Sequence, residues 1–134
     1  MTDISASLLW DIFKHLSSWL RNLSRAGDKR KTESIRALRD IITASRETAV
    51  YIRQLNETAK SNHKIESHLS VLWTELGFAL EDLGIATLAK RCQIKGKQWA
   101  SPDHYDTEFI TKADISLEKM ERLAKEILYK INQS

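Results

Sequence analysis

A long stretch without helix-breaking residues restricts the fold of this chain more than any other feature. From Asp28 to Lys60 the sequence contains no glycine or proline, and hydrophobic or small residues recur in alternating steps of three and four. That spacing places them on one face of an α-helix. The whole chain has four glycines and one proline in 134 residues, which is too little turn chemistry for a sandwich, a barrel or a series of βα units. An all-α fold is therefore predicted.

The same periodicity predicts helices over residues 4–24, 28–60 and 62–95, and a fourth from Ser101 to the end of the chain. Gly96 is the predicted stop of the third helix, and Gly77 and Gly84 inside it indicate either close helix packing or a local bend. Short connections favour antiparallel neighbours. The prediction is a single domain, residues 1–134, folded as an elongated up-down-up-down four-helix bundle with one shorter and three long helices.

The sequence carries few signals of a targeting segment or of catalytic chemistry. Asp3 and Asp11 interrupt the apolar N-terminal cluster where a signal peptide would need positive charge and a continuous apolar core. No stretch reaches the roughly 18 to 20 apolar residues of a membrane span. The single cysteine, Cys92, excludes a disulfide framework and favours a reducing, cytoplasmic location.

The chemistry-bearing residue types do not form a recognisable catalytic set. The four histidines lack the spacing of a metal site, and no glycine-rich phosphate loop is present. A lone cysteine on a long helix is usually a small packing residue, although Lys90 and Arg91 could lower the pKa of the Cys92 thiol. We therefore predict a protein that is not an enzyme, with no cofactor and no bound metal.

The charges of the predicted bundle are unevenly distributed. Residues 21–36 contain six basic and two acidic residues, and residues 90–106 contain four basic and two acidic residues. The predicted topology brings both segments to one pole with a charge of about +6, against +3 for the whole chain. Such a pole would bind anions through the following residues: Arg25, Lys29, Arg30, Lys31, Lys90, Arg91, Lys95, Lys97 and Trp99.

An alternative explanation is that these residues are ordinary solvated charges at helix ends. It accounts for the cations from Lys90 to Lys97, which complement the dipole at a helix C-terminus, but not for Lys29 to Lys31, which lie at a helix N-terminus.

A second basic pattern, the stripe Arg39, Arg46, Arg53 and Lys60, has the same two interpretations. It either tracks a phosphate backbone or forms interhelical ion pairs, with Arg46 close to Glu75 and Arg39 close to Glu81 or Asp82.

The leading functional prediction is a non-enzymatic binding protein, either monomeric or oligomeric, whose basic pole contacts an anionic partner, with nucleic acid as the first choice. One alternative is a protein-interaction module of the adaptor, inhibitor or immunity type, in which Trp10 is an interface residue. Another is attachment of the bundle tip to an anionic membrane surface, with Trp99 at the level of the headgroups.

Overall fold

The computed structural model describes residues 19–23, 25–102 and 107–133. Residues 19–23 are helical, and no strand is present in these ranges. The predicted all-α helical bundle is confirmed. Its four longer helices are α1 (Asp28–Thr58), α2 (His63–Asp82), α3 (Ala86–Ala100) and α4 (Thr107–Gln133).

Helix α1 is the central element, because it packs against α4 on one side and against α2 on another. Arg46 of α1 contacts Glu121 of α4, and Tyr51 of α1 contacts Glu66 of α2. Two neighbours require a wider buried surface than one heptad stripe supplies. Ile41 and Ala44 are accordingly buried together with Leu38, Ser45 and Ile52.

The third predicted helix is wrong in one respect, since residues 62–95 form parts of two helices. Helix α2 ends at Asp82, and Gly84 adopts φ +83°, a left-handed conformation that glycine tolerates and other residues rarely adopt. The indole Nε1 of Trp19 and Nη2 of Arg30 each donate a hydrogen bond of 2.9 Å to the carbonyl of Leu83. Of the two possibilities at Gly84, the bend is the one observed, and it is a complete reversal of the chain.

Helices α2 and α3 pack closely through their glycines. A Cβ at Gly77 would lie 3.1 Å from the carbonyl oxygen of Ala89, and a Cβ at Gly96 would lie 3.0 Å from the carbonyl oxygen of Ser70. Gly96 is therefore not the predicted helix stop but an interior residue of α3. The hydroxyl of Ser70 donates a 2.7 Å hydrogen bond to the Gly96 carbonyl across the same contact.

Buried polar contacts fix α1 against the α2–α3 pair. The indole of Trp73 donates to Oγ1 of Thr48 at 2.9 Å, and that hydroxyl donates to the Ala44 carbonyl at 2.7 Å. At the start of α2 the side chain of Asn62 accepts a 3.1 Å hydrogen bond from the Ile65 amide and caps the helix. None of the helices in the described ranges is long and apolar enough to cross a membrane.

Candidate anion-binding surface

The reversal at Gly84 separates the residues of the predicted basic pole. Helix α3 returns along α2, so its C-terminal end lies beside the second half of α1 rather than beside its start. The Trp99 ring contacts the Tyr51 ring edge-on, with a centroid distance of 5.7 Å. The predicted meeting of Lys97 and Trp99 with Lys29 at one pole is therefore wrong.

Two members of the predicted pole lie in the core. Trp99 is 3% exposed and Lys95 is 5% exposed, so neither side chain belongs to an exposed basic surface. The ammonium of Lys95 lies 5.7 Å from the centre of the Trp73 ring. Burial lowers the pKa of Lys95 to about 8, and the nearby Arg91 charge acts in the same direction.

Cys92 lies on the same buried face of α3. Burial raises the pKa of its thiol to about 12, and the positive charges of Lys95 and Arg91 only partly oppose that effect. The thiol is fully buried and is protonated at neutral pH. It therefore packs as a small core side chain, as the sequence pattern indicates.

The other predicted residues are distributed over different surfaces. Arg30 binds the Leu83 carbonyl, Lys31 and Arg91 are half-buried, and Lys90 and Lys97 are exposed on α3. Arg25, Lys29 and Arg30 are exposed at the start of α1, and of these the Arg30 guanidinium is engaged by the Leu83 carbonyl. The predicted anion-binding residues on α3 therefore do not share one surface with those at the start of α1.

The first half of α1 nevertheless carries several exposed basic residues. Lys29 and Arg36 are seven residues apart and share one helix face, and Arg39 follows three residues later. All three side chains are exposed, as is Arg25 just before the helix. We call these four residues the basic ridge. Within the described ranges, none of them has a carboxylate oxygen within 4.0 Å.

Acidic residues lie along one edge of the ridge. Glu33, Asp40 and Asp82 line a surface cavity of about 580 Å³ together with Lys29 and Arg36. Because its lining is balanced in charge, the cavity does not itself select an anion. The basic ridge extends past it, and residues 19–39 as a whole contain seven basic and two acidic residues.

Further along α1, the predicted basic stripe (Arg39, Arg46, Arg53 and Lys60) contains a residue that forms an ion pair. Nε of Arg46 lies 3.2 Å from Glu121 on α4, not beside Glu75, so an interhelical pair forms with another partner. Burial raises the pKa of Glu121, but hydrogen bonds from Lys125 and Arg46 outweigh it and hold the pKa below its ordinary value. The stripe is therefore paired at Arg46 and unpaired at Arg39.

Glu81, one of the two predicted partners of Arg39, forms a hydrogen bond with a different residue. The carboxylate of Glu81 accepts a 2.9 Å hydrogen bond from the Gln93 amide of α3. Gln93 lies beside α2 because the chain reverses at Gly84. A single continuous helix over residues 62–95 would have kept Gln93 and Glu81 far apart. The seven- and three-residue spacing of Lys29, Arg36 and Arg39 is the sequence signal that could have identified the ridge.

Two remaining predictions concern other sites. Trp10, the predicted interface residue, lies outside the described residues. The described residues contain no group of three or more histidine, cysteine, aspartate or glutamate side chains that could hold a metal ion. No protein-family model, curated protein or solved structure matches this chain.

Proposed function

We propose that this chain is a non-enzymatic, cytoplasmic helical-bundle protein that binds nucleic acid through the basic ridge of α1. The observation that carries the proposal is the exposure of Arg25, Lys29, Arg36 and Arg39 with no carboxylate of the described residues within 4.0 Å. Guanidinium and ammonium groups held in this way neutralise phosphates and release their counterions on binding.

The dimensions of the ridge suit a phosphate backbone. Lys29 and Arg39 are ten residues apart, which is about 15 Å along an α-helix. One DNA strand carries a phosphate about every 3.4 Å of helix axis, so the ridge spans about four phosphates. The described ridge residues include no aromatic ring, which favours contacts to the backbone over stacking on bases.

The same charges support nucleic acid better than a membrane surface. The membrane alternative relied on Trp99 as an interfacial anchor, and that side chain is in the core against Tyr51. A ridge of cations gives electrostatic attraction to lipid, whereas a phosphate backbone also matches the ridge in spacing.

The experiment compares two variants with the same change in net charge. The ridge variant carries Lys29→Glu, Arg36→Glu and Arg39→Glu, and the control carries Lys64→Glu, Lys90→Glu and Lys97→Glu on exposed positions of α2 and α3. Fluorescence anisotropy of labelled RNA and DNA at low salt should show binding by wild type and the control, and at least about tenfold weaker binding by the ridge variant. Equal losses in both variants, or no binding by wild type, would reject the ridge as the site.

A second candidate function is protein interaction through the outer side of the α2–α3 pair. Val71, Phe78 and Ile94 are each about half exposed. Val71 and Phe78 are seven residues apart on α2, and Ile94 lies on the side of α3 opposite the buried Cys92. Exposed apolar groups of this kind are typical of interaction surfaces.

Light scattering of the isolated protein tests self-association through that surface. Phe78→Ser should abolish concentration-dependent association, while Val50→Ser, a substitution of an equally exposed residue on α1, should not. A wild type that stays monomeric at all concentrations excludes self-association as the role of this surface.

A further inference from the structure

A cleft near the turn between α1 and α2 contains a buried carboxylate with an unused hydrogen-bond acceptor. Glu66 is 5% exposed, and its Oε2 accepts a 2.7 Å hydrogen bond from the hydroxyl of Tyr51. Its Oε1 is buried and has no hydrogen-bond partner. Removing a carboxylate oxygen from water without a replacement is costly, so this atom requires an explanation.

The Tyr51 hydroxyl also fixes the orientation of that carboxylate. It accepts a 2.8 Å hydrogen bond from the Asn62 amide while donating to Oε2 of Glu66. The pKa of Tyr51 is raised to about 12, first by burial and further by the Glu66 carboxylate, although its contact with Asn62 opposes the change. The hydroxyl therefore remains a donor, and Oε1 is the oxygen left over.

Residues of α2 and of the C-terminal end of α3 surround the cleft. It has a volume of about 370 Å³, and its walls include Glu66, Ser67, Trp99 and Ser101. A single water molecule needs only about 10–15 Å³ of such space, so the cleft can hold a larger molecule. His63 lies at its mouth, with Nδ1 3.8 Å from Oε1 and a side chain that is 83% exposed. That distance is too long for a hydrogen bond, although it is within the range of an ion pair when His63 is protonated.

We propose that this cleft binds a primary ammonium group, with Oε1 of Glu66 as its anionic acceptor. The serine hydroxyls of Ser67 and Ser101 supply further acceptors, and the Trp99 ring supplies an aromatic wall of the kind that favours cations. A guanidinium fits less well, because its two parallel hydrogen bonds need both carboxylate oxygens and Tyr51 already uses Oε2. Metal ions need more ligands than the single carboxylate provides.

The site is separate from the basic ridge. It lies level with Tyr51 and Asn62, whereas the ridge ends at Arg39, twelve residues or about 18 Å earlier along α1. Loss of binding at one surface should therefore leave the other intact. The ammonium could belong to a free alkylamine or to a lysine side chain of a partner protein.

The test uses n-butylammonium chloride as the probe and the full chain as the receptor, observed by NMR through the Trp99 indole and the Ser67 amide. Wild type should show saturable shifts with n-butylammonium and none with n-butanol, the neutral analogue. Glu66→Gln keeps an acceptor for Tyr51 and should weaken binding about tenfold or more. Glu75→Gln, the matched loss of one negative charge on the exposed face of α2, should not change binding.

A second variant tests the cleft independently of Glu66, because Glu66→Gln could weaken binding by lowering the stability of the fold. Ser67→Lys, at an exposed position, places a tethered ammonium at the cleft and should block the probe. Titrations with 1,5-diaminopentane and with Nα-acetyl-lysine N-methylamide then distinguish a free amine from a lysine side chain by their relative affinities. Equal shifts with n-butanol, or unchanged affinity in both Glu66→Gln and Ser67→Lys, would overturn the proposal.

Discussion

Replacing Gly96 with alanine should destabilise the protein although alanine is the better helix former. Gly96 lies inside α3, and an alanine Cβ there would clash with Oγ1 of Thr74 and lie 3.0 Å from the Ser70 carbonyl oxygen and from the Thr74 amide nitrogen. Two of the three contacts are to backbone, so a side-chain rotation cannot relieve them. Helices α2 and α3 must move apart by a few tenths of an ångström.

The expected magnitude follows from two opposing contributions. Alanine gains about 1 kcal/mol over glycine in a helix interior, whereas overpacking a tight contact costs about 1–3 kcal/mol. We expect a net loss of up to about 2 kcal/mol in the free energy of unfolding. In a chain of this size that is a decrease of up to roughly 8 °C in Tm.

Urea and thermal unfolding followed by circular dichroism measure this effect. The double variant Gly96→Ala with Thr74→Ala removes the Thr74 hydroxyl but keeps both backbone contacts, so it should recover only part of the loss. Gly77→Ala should cost a similar amount, because its Cβ would clash with Cγ of Gln93 and lie 3.1 Å from the Ala89 carbonyl oxygen and from the Gln93 amide nitrogen. If Gly96→Ala instead raised stability by about 1 kcal/mol, helix propensity alone would decide the outcome and the close packing of α2 on α3 would be refuted.

Three further predictions concern the turn, the buried hydrogen bonds and the buried lysine. Gly84→Ala places a side chain at φ +83° and should lower the free energy of unfolding by about 1 kcal/mol, measured by urea titration. Tyr51→Phe leaves Oε2 of Glu66 and the Asn62 amide without their partner and should cost about 1–3 kcal/mol in the same assay; no loss would mean that neither bond stabilises the fold. The pKa of Lys95 is about 8 in the folded protein and 10.5 when the side chain is exposed. Between these two pH values the unfolded chain therefore binds more protons than the folded chain does. As a result, the contribution of Lys95 to the free energy of unfolding rises with pH. The stability advantage of Lys95→Met over wild type should therefore shrink by on the order of 3 kcal/mol from pH 7 to pH 10.5, and a difference that is independent of pH would contradict the burial of the charge.

The helices themselves could be predicted from the sequence because periodicity and the rarity of glycine act locally. The prediction for residues 28–60 is close to the observed α1, Asp28–Thr58. A local pattern does not say how many neighbours a helix has. The burial of Ile41 and Ala44 arises because α1 has two, a property of the assembled bundle.

The arrangement of charges was harder to predict because it depends on where the chain reverses. A glycine in a helical pattern is compatible with close packing, as at Gly77, or with a left-handed turn, as at Gly84. Choosing the wrong one moves everything after residue 84 to the other end of the bundle. That single choice put Lys97 and Trp99 in the predicted basic pole, whereas the ridge at Lys29 does not depend on it.

The salt dependence of nucleic-acid binding tests the proposed role of the basic ridge most directly. Each neutralised phosphate of duplex DNA contributes about −0.9 to the slope of log K against log salt. Four ridge cations predict a slope between about −3 and −4, or roughly a hundredfold loss of affinity from 50 to 200 mM salt. The variant Lys29→Gln, Arg36→Gln and Arg39→Gln should reduce the slope to about −1. A wild-type slope near zero, or an unchanged slope in the variant, would contradict binding through the ridge.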